Sequence, residues 1–146
     1  MTGLTPPQKP IENWESLRED WVATVESLVA NIESCCRENR WPTRRIIKVL
    51  EDPNIGGYRV PALLVQADLV QMMLDPRAGS VSDGQGVADF YVMPQYDDLA
   101  TLIHNGSEWT CYYRYPDRGD KFADGVVFTR AEFVRIVKEM LGHVSA

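Results

Sequence analysis

Chemistry in this chain has few places to start. Imidazole occurs twice, at His104 and His143, and thiol three times, at Cys35, Cys36 and Cys111. His143 is one of the last four residues, so a serine or cysteine nucleophile would have to use His104 as its base, held within about 3 Å. The segment around His104 sets that geometry. Leu99–His104 and Ser107–Tyr115 flank the pair Asn105-Gly106, the preferred type I′ turn because both central residues need positive φ. A two-residue turn sets His104 opposite Ser107, Leu102 opposite Trp109, Ala100 opposite Cys111 and Asp98 opposite Tyr113, all toward one side of the sheet. Cys111 then lies two same-face steps from His104, on the order of 13 Å at about 3.3 Å per residue, too far for a dyad. Ser107 faces the imidazole but has no third group to orient it.

Metal chemistry fares no better. Asp89, Asp97, Asp98 and Glu108 are the oxygen ligands a divalent ion would want. In extended chain Asp97 and Asp98 point to opposite faces, and Glu108 faces away from Asp98, so no closed cage is expected. Asp97-Asp98 reads instead as the end of the turn after Pro94, keeping an edge soluble. The adjacent Cys35 and Cys36 diverge by about 100° on a helix, and no C-x-x-C occurs, so the cysteines read as small apolar residues. Nucleotide-binding, zinc-protease and hydrolase signatures are missing, and Gly84-Gln85-Gly86 has Asp89 where a dinucleotide loop needs its third glycine. No catalytic residue, metal or cofactor is assigned. Asn105-Gly106-Ser107 matches a glycosylation sequon and is explained by the turn, while Arg118-Gly119-Asp120 reads as loop.

Aromatic residues carry the strongest functional signal. Seven of the fourteen, Phe90, Tyr91, Tyr96, Trp109, Tyr112, Tyr113 and Tyr115, fall within 26 residues. Tyr112 and Tyr113 must face opposite sides of a sheet. Leu102, Trp109, Cys111 and Tyr113 make the apolar side, whereas Thr101, Thr110, Tyr112 and Arg114 make an amphipathic surface suited to a peptide, a ligand or a second subunit. Tyr91, Tyr96, Asp98, His104, Tyr112 and Arg114 are the residues expected to contact a partner or ligand.

The elements that must position these groups follow from periodicity. Residues 1–10 hold three prolines and no periodic pattern, which predicts a disordered or extended lead-in before a single α+β domain over 11–146. Trp14, Leu17, Trp21, Val25, Leu28, Ile32 and Cys35 recur at helical spacing, giving an amphipathic helix of about seven turns. Its cap is Asn13, or Ser16 with Glu19, and Asn39 with Trp41-Pro42 ends it. Residues 43–51 and 58–67 predict two antiparallel strands about the turn at Pro53, Asn54, Gly56 and Gly57, with Pro61 confined to a bulge, an edge or a strand start. Residues 68–75 fit a strand better than a helix, 76–86 read as a loop, and 87–93 as a strand ended by Pro94. After the Asn-Gly hairpin, 117–124 form a polar loop. Thr129 to Glu132 is a capping box opening a last helix, with Phe133, Ile136, Val137, Met140 and Leu141 on one face and Gly142 as its stop. Five or six mostly antiparallel strands between two helices define an α+β fold, the sheet covered on one face by both helices.

Charge narrows the function classes. The net charge of −6 is spread evenly, three in each half, and opposes sequence-independent nucleic-acid binding, which draws on Lys and Arg releasing counterions. Arg37, Arg40, Arg44, Arg45 and Lys48 are the one basic concentration, read as cations at a helix C-terminus and along the solvent edge of a strand. No apolar run approaches the roughly 18 residues of a membrane span, and the expected compartment is the cytoplasm. In size, acidity and element order, though in no motif, the chain is similar to the type III secretion chaperones and related small chaperone-like domains. The expectation is a non-catalytic protein-interaction or chaperone-like module whose open sheet face or edge engages a protein partner or a second copy. The alternative is a small-molecule-binding protein or small enzyme, with a pocket near loop 76–86 using Tyr96 and His104 together with Asp89, Tyr91 and Asp98.

Overall fold

The long amphipathic stripe becomes helix α1, Trp14–Glu38, in a computed structural model that describes residues 14–53, 55–77, 86–113 and 125–145. The expected lead-in, the cap candidate Asn13, the loop centre 78–85, the polar loop 117–124 and Arg114 lie outside those residues. Ser16 is not a cap, because the helix is already under way at that position. At the other end the chain leaves the helix where the sequence requires. Arg40 takes a left-handed φ of 61°, and the amides of Arg40 and Trp41 bond the carbonyls of Arg37 and Cys36 at 3.1 and 2.9 Å. That is a Schellman ending, and Pro42 follows it.

Seven strands come next: β1 Thr43–Asp52, β2 Gly56–Ala67, β3 Val70–Arg77, β4 Gly86–Val92, β5 Asp97–His104, β6 Trp109–Tyr112 and β7 Val126–Val127. They pair in chain order as one antiparallel meander. The count exceeds the expected five or six because β7 has only two residues, too short for an alternation pattern to show. Helix α2, Arg130–Ser145, closes the chain. Thr129 caps it as expected, the Glu132 amide donating to Thr129 Oγ1 at 3.1 Å. Gly142 does not stop it; the helix runs through to Ser145.

Both prolines inside strands sit where a strand has one partner. Pro61 faces Ile47 of β1, but the β2–β3 ladder begins only at Leu63↔Leu74. Pro76 pairs with Ala88 of β4, beyond the end of that same ladder. A missing amide donor is tolerated at such local edges, so the expected loop at 76–86 gives up Pro76, Arg77 and Gly86 to strands. Past Pro61, β1 and β2 form a two-stranded ribbon. Tyr58 and Val60 share the core cluster with Leu63, Val65 and Ala67, although alternation puts the two sets on opposite sides. Pairing runs through without a slip, so the ribbon itself turns over there, as two-stranded ribbons twist most.

One sheet face carries the core. Leu63, Val65, Met72, Leu74, Ala88, Phe90, Ala100, Leu102 and Cys111 are buried against both helices. Phe133 of α2 meets Phe90 edge-on at 5.2 Å, and Trp21 of α1 lies 5.9 Å from Trp109. Gly86 makes the second contact possible, since a Cβ there would fall 2.0–2.7 Å from the Trp21 ring. Trp21 Nε1 donates to the Tyr58 hydroxyl at 3.2 Å, which satisfies the indole inside the core. Among the described residues no helix is long and apolar enough to cross a membrane.

Candidate functional site

Two polar regions flank the same strands, one on the open face and one on the helix face. The open-face region starts from strand alternation. Register sets Asp75 opposite Asp89, with Met73 opposite Tyr91 and Arg77 opposite Val87, all on the side away from the helices. Two carboxylates face to face would repel, and each is bound to a cation instead. Lys48 of β1 bonds Asp75 and also donates to the Pro76 carbonyl at 2.8 Å, while Arg77 Nη1 donates to Asp89 Oδ2 at 2.8 Å. Two tyrosines complete the set. Tyr91 donates to Asp75 Oδ2 at 2.8 Å, Tyr96 donates to Asp89, and Arg77 Nη1 also donates to the Tyr96 oxygen at 2.6 Å. The two phenol rings stack at 4.0 Å.

Tyr96 reaches this position at a backbone cost. Its φ is 64°, a left-handed value uncommon for a bulky side chain. The ring stack and the bonds to Asp89 and Arg77 hold it. Next to it, the single residue Tyr91 faces the pair Asp98 and Leu99, a bulge in β5 with Asp98 at φ 56°. Asp98 lies on the helix side with Ala100 and Leu102, as expected, and there it accepts from the Tyr113 hydroxyl at 2.8 Å and meets His143 Nδ1 at 2.7 Å. Burial and the hydrogen bond to a carboxylate push the Tyr96 phenol up to about 12 and the Tyr91 phenol upward as well. Both therefore stay protonated donors at neutral pH, with no tendency to act as bases.

The helix-side region is a cleft of about 570 Å³ between α1, the β5–β6 hairpin and the start of α2. Leu28, Ile32, Trp109 and Phe128 give it an apolar floor, and Thr24, Ser27 and Asn31 bring short polar side chains from α1. The Ser27 hydroxyl and the Asn31 amide are exposed and, among the described residues, bonded to no other side chain. Arg130 closes one end, its Nη1 bonding the Asn31 carbonyl at 3.3 Å and its Nη2 pairing with Glu38 at 2.7 Å. His104 stands on the rim, edge-on to Trp109 at 5.0 Å, with Nδ1 accepting the Gly106 amide at 3.1 Å. Burial lowers its pKa, so the imidazole is neutral at pH 7 with its proton on Nε2.

The hairpin register differs from the expected one. His104 pairs with Trp109 and Leu102 with Cys111, across a four-residue connection. The Asn105 side chain causes the shift by accepting the Ser107 and Glu108 amides at 3.0 and 3.1 Å, which makes an Asx-type turn in place of the type I′ pair. A shift of two residues keeps every side chain on its expected face. It also brings Cys111 one same-face step from His104 instead of two. No dyad results: burial pushes the Cys111 thiol up to about 12, and His104 uses Nδ1 on its own turn.

The expected site residues are thus divided. Tyr91 and Tyr96 come together on the open face, and Thr101 with its partner Tyr112 lies on that face one ladder further on. Asp98 and His104 face the helices and are held by different neighbours. A single pocket using Tyr96 and His104 is therefore corrected, because the sheet itself stands between them. Asp89 and Asp98 are likewise on opposite faces, and among the described residues no group of three or more His, Cys, Asp or Glu is placed to hold a metal. Sequence reasoning missed Lys48, Asp75 and Arg77 as network members. The Asp75 and Arg77 alternation was visible, but Pro76 between them hid the strand. It also missed Thr24, Ser27 and Asn31, since polar residues on a helix read as a solvated face. Comparison with protein-family models, characterised proteins and solved structures finds no match.

Proposed function

We propose that this protein is a non-catalytic protein-interaction module whose helix-side cleft takes an extended segment of a partner. The observation that carries the reading is the pairing of an apolar floor with hydrogen-bonding groups left uncommitted on the rim. A partner side chain would settle on Leu28, Ile32, Trp109 and Phe128, and its backbone groups would bond Ser27, Asn31 and His104 Nε2–H. The reactive groups support the same reading. Burial raises all three thiols, Cys36 to about 12, and among the described residues His104 is hydrogen-bonded to no serine, threonine or cysteine side chain. Unpaired thiols suit a reducing compartment, and we place the module in the cytoplasm.

A library of displayed random peptides, selected on the immobilised protein, tests the reading. Ser27→Trp, at an exposed position, fills the cleft without touching the core. Peptides with an aliphatic or aromatic anchor should be enriched on the native protein and released at least tenfold faster by the variant. Peptides that bind the variant equally well, or a selection that enriches none, would overturn the assignment.

A further inference from the structure

The two edges of the sheet are not alike. β7 is two residues long, and shortness is a common way of blunting an edge. β1 presents ten residues, with no proline or glycine, and among the described residues it pairs on one side only. Ile47 and Val49 stand 63% and 62% exposed on it. A long edge with exposed β-branched residues is a template for another strand unless its charges forbid pairing.

Here the charges are ordered so that they select one pairing. From Arg44 to Asp52 the sequence is Arg-Arg-Ile-Ile-Lys-Val-Leu-Glu-Asp, basic at one end and acidic at the other about Lys48. We propose that β1 pairs antiparallel with β1 of a second copy, about a two-fold axis through Lys48, joining two seven-stranded sheets. In that register Arg45 faces Glu51, Ile46 faces Leu50, and the exposed Ile47 faces the exposed Val49, while Arg44 lies opposite Asp52, whose buried carboxylate accepts the Ile55 amide of its own turn at 3.1 Å and is not offered to the partner. Only Lys48 meets its own kind, and each Lys48 is already bound to Asp75 on the open face. Arg45 is already held by Glu26 and Glu33 of α1, with contacts at 3.0 and 2.8 Å, so Glu51 of the second copy would share its guanidinium with them. Parallel pairing would set like charge on like charge. Moving the axis to Ile47 would set Arg45 against Val49 and Arg44 against Leu50, losing every opposite-charge pair. An antiparallel two-fold pair needs the axis at a residue, since a half-step would put opposing side chains on different faces. The cleft lies beyond the other end of the sheet and takes no part.

Sedimentation equilibrium over a concentration series, with cysteine cross-linking, tests both the association and its register. The mass should rise from one chain to two, and Ile47→Lys with Val49→Lys, exposed positions with no core contact, should raise the dissociation constant at least a hundredfold while the circular dichroism stays native. Chains carrying Ile47→Cys mixed with chains carrying Val49→Cys should oxidise mainly to the mixed disulfide, because those two positions are directly opposite whereas each is two residues from its own copy. The buried native thiols do not compete. A single-chain mass at every concentration overturns the dimer, and a two-chain mass that persists in the double lysine variant overturns β1 as its seat. Homodisulfides in excess of the mixed species overturn the register.

Discussion

The open-face network and the helix-side cleft are built on the same strands and differ in what their polar groups have left to offer. In the network, two cations, two carboxylates and two phenols bond one another, and Asp89, the group that most needs partners, is only 6% exposed. Its hydrogen bonds serve to hold β1, β3, β4 and the 93–96 turn in register. In the cleft the floor is apolar and the hydroxyl and amide groups above it point outward. A region rich in charge therefore has its polar groups bonded to one another, and a region with little charge is the one whose Ser27 and Asn31 side chains are bonded to no other side chain among the described residues. Polar composition alone does not distinguish the two; the partners do.

Substitutions can sharpen or break that contrast. The largest effect is expected in the core, where α1 meets the sheet beneath Trp109. Gly86→Ala drives a methyl into the Trp21 ring and should cost about 3 kcal/mol by urea denaturation, displacing the indole from Tyr58. Asp89→Ala comes next, at about 2 kcal/mol, because it strands the Arg77 guanidinium and the Tyr96 hydroxyl together. Peptide binding in the cleft should be unchanged by it, and a loss of binding at full folding would break the separation of the two regions. Tyr96→Phe removes one hydroxyl and should cost about 1 kcal/mol. Ser27→Ala should change stability by less than about 0.5 kcal/mol while weakening peptide capture.

Acid separates the regions too. His104 has a lowered pKa in the fold, so the stability tied to its neutral form is present above 6.5 and lost as pH falls from there through the folded value. His143 has a raised pKa from its bond to Asp98, so its contribution is present below 6.5 and lost as pH rises through the folded value. The urea midpoint should fall on both sides of a maximum near pH 6.5. His104→Gln should flatten the acid limb and His143→Gln the alkaline one. The network phenols, held above their ordinary range, should add nothing between pH 6 and 8.

Much of the frame was legible beforehand, for reasons that can be named. The helices declared themselves through apolar stripes and, in α2, a capping box, because those are local signals that tertiary context does not overrule. Hairpin faces were legible because alternation has a period of two, so even a slip of two residues at Asn105 left each side chain on its face. The exact pairing was not, because one side-chain oxygen decided between two turns. Prolines misled at Pro76, where a breaker by composition sits harmlessly on a strand with one partner. The site was read in part: Tyr91 and Tyr96 were singled out, but their cations come from β1 and the end of β3, and no single-strand pattern links Lys48 to Asp75 across 27 positions.

The meander has a further consequence for how the chain reaches its fold. Each strand pairs with the one just before it, so the sheet from β1 to β6 can be laid down hairpin by hairpin, each closing a loop of about eight residues or fewer, and β7 follows after a longer connection. Helix α1 is made before the sheet, yet Trp109, Phe90's partner Phe133 and the Arg130 bridge that complete its surroundings come after most of the strands. Its apolar stripe must wait, half covered by the early strands, until the last third of the protein arrives. During synthesis the nascent helix α1 is thus the surface with most to hide.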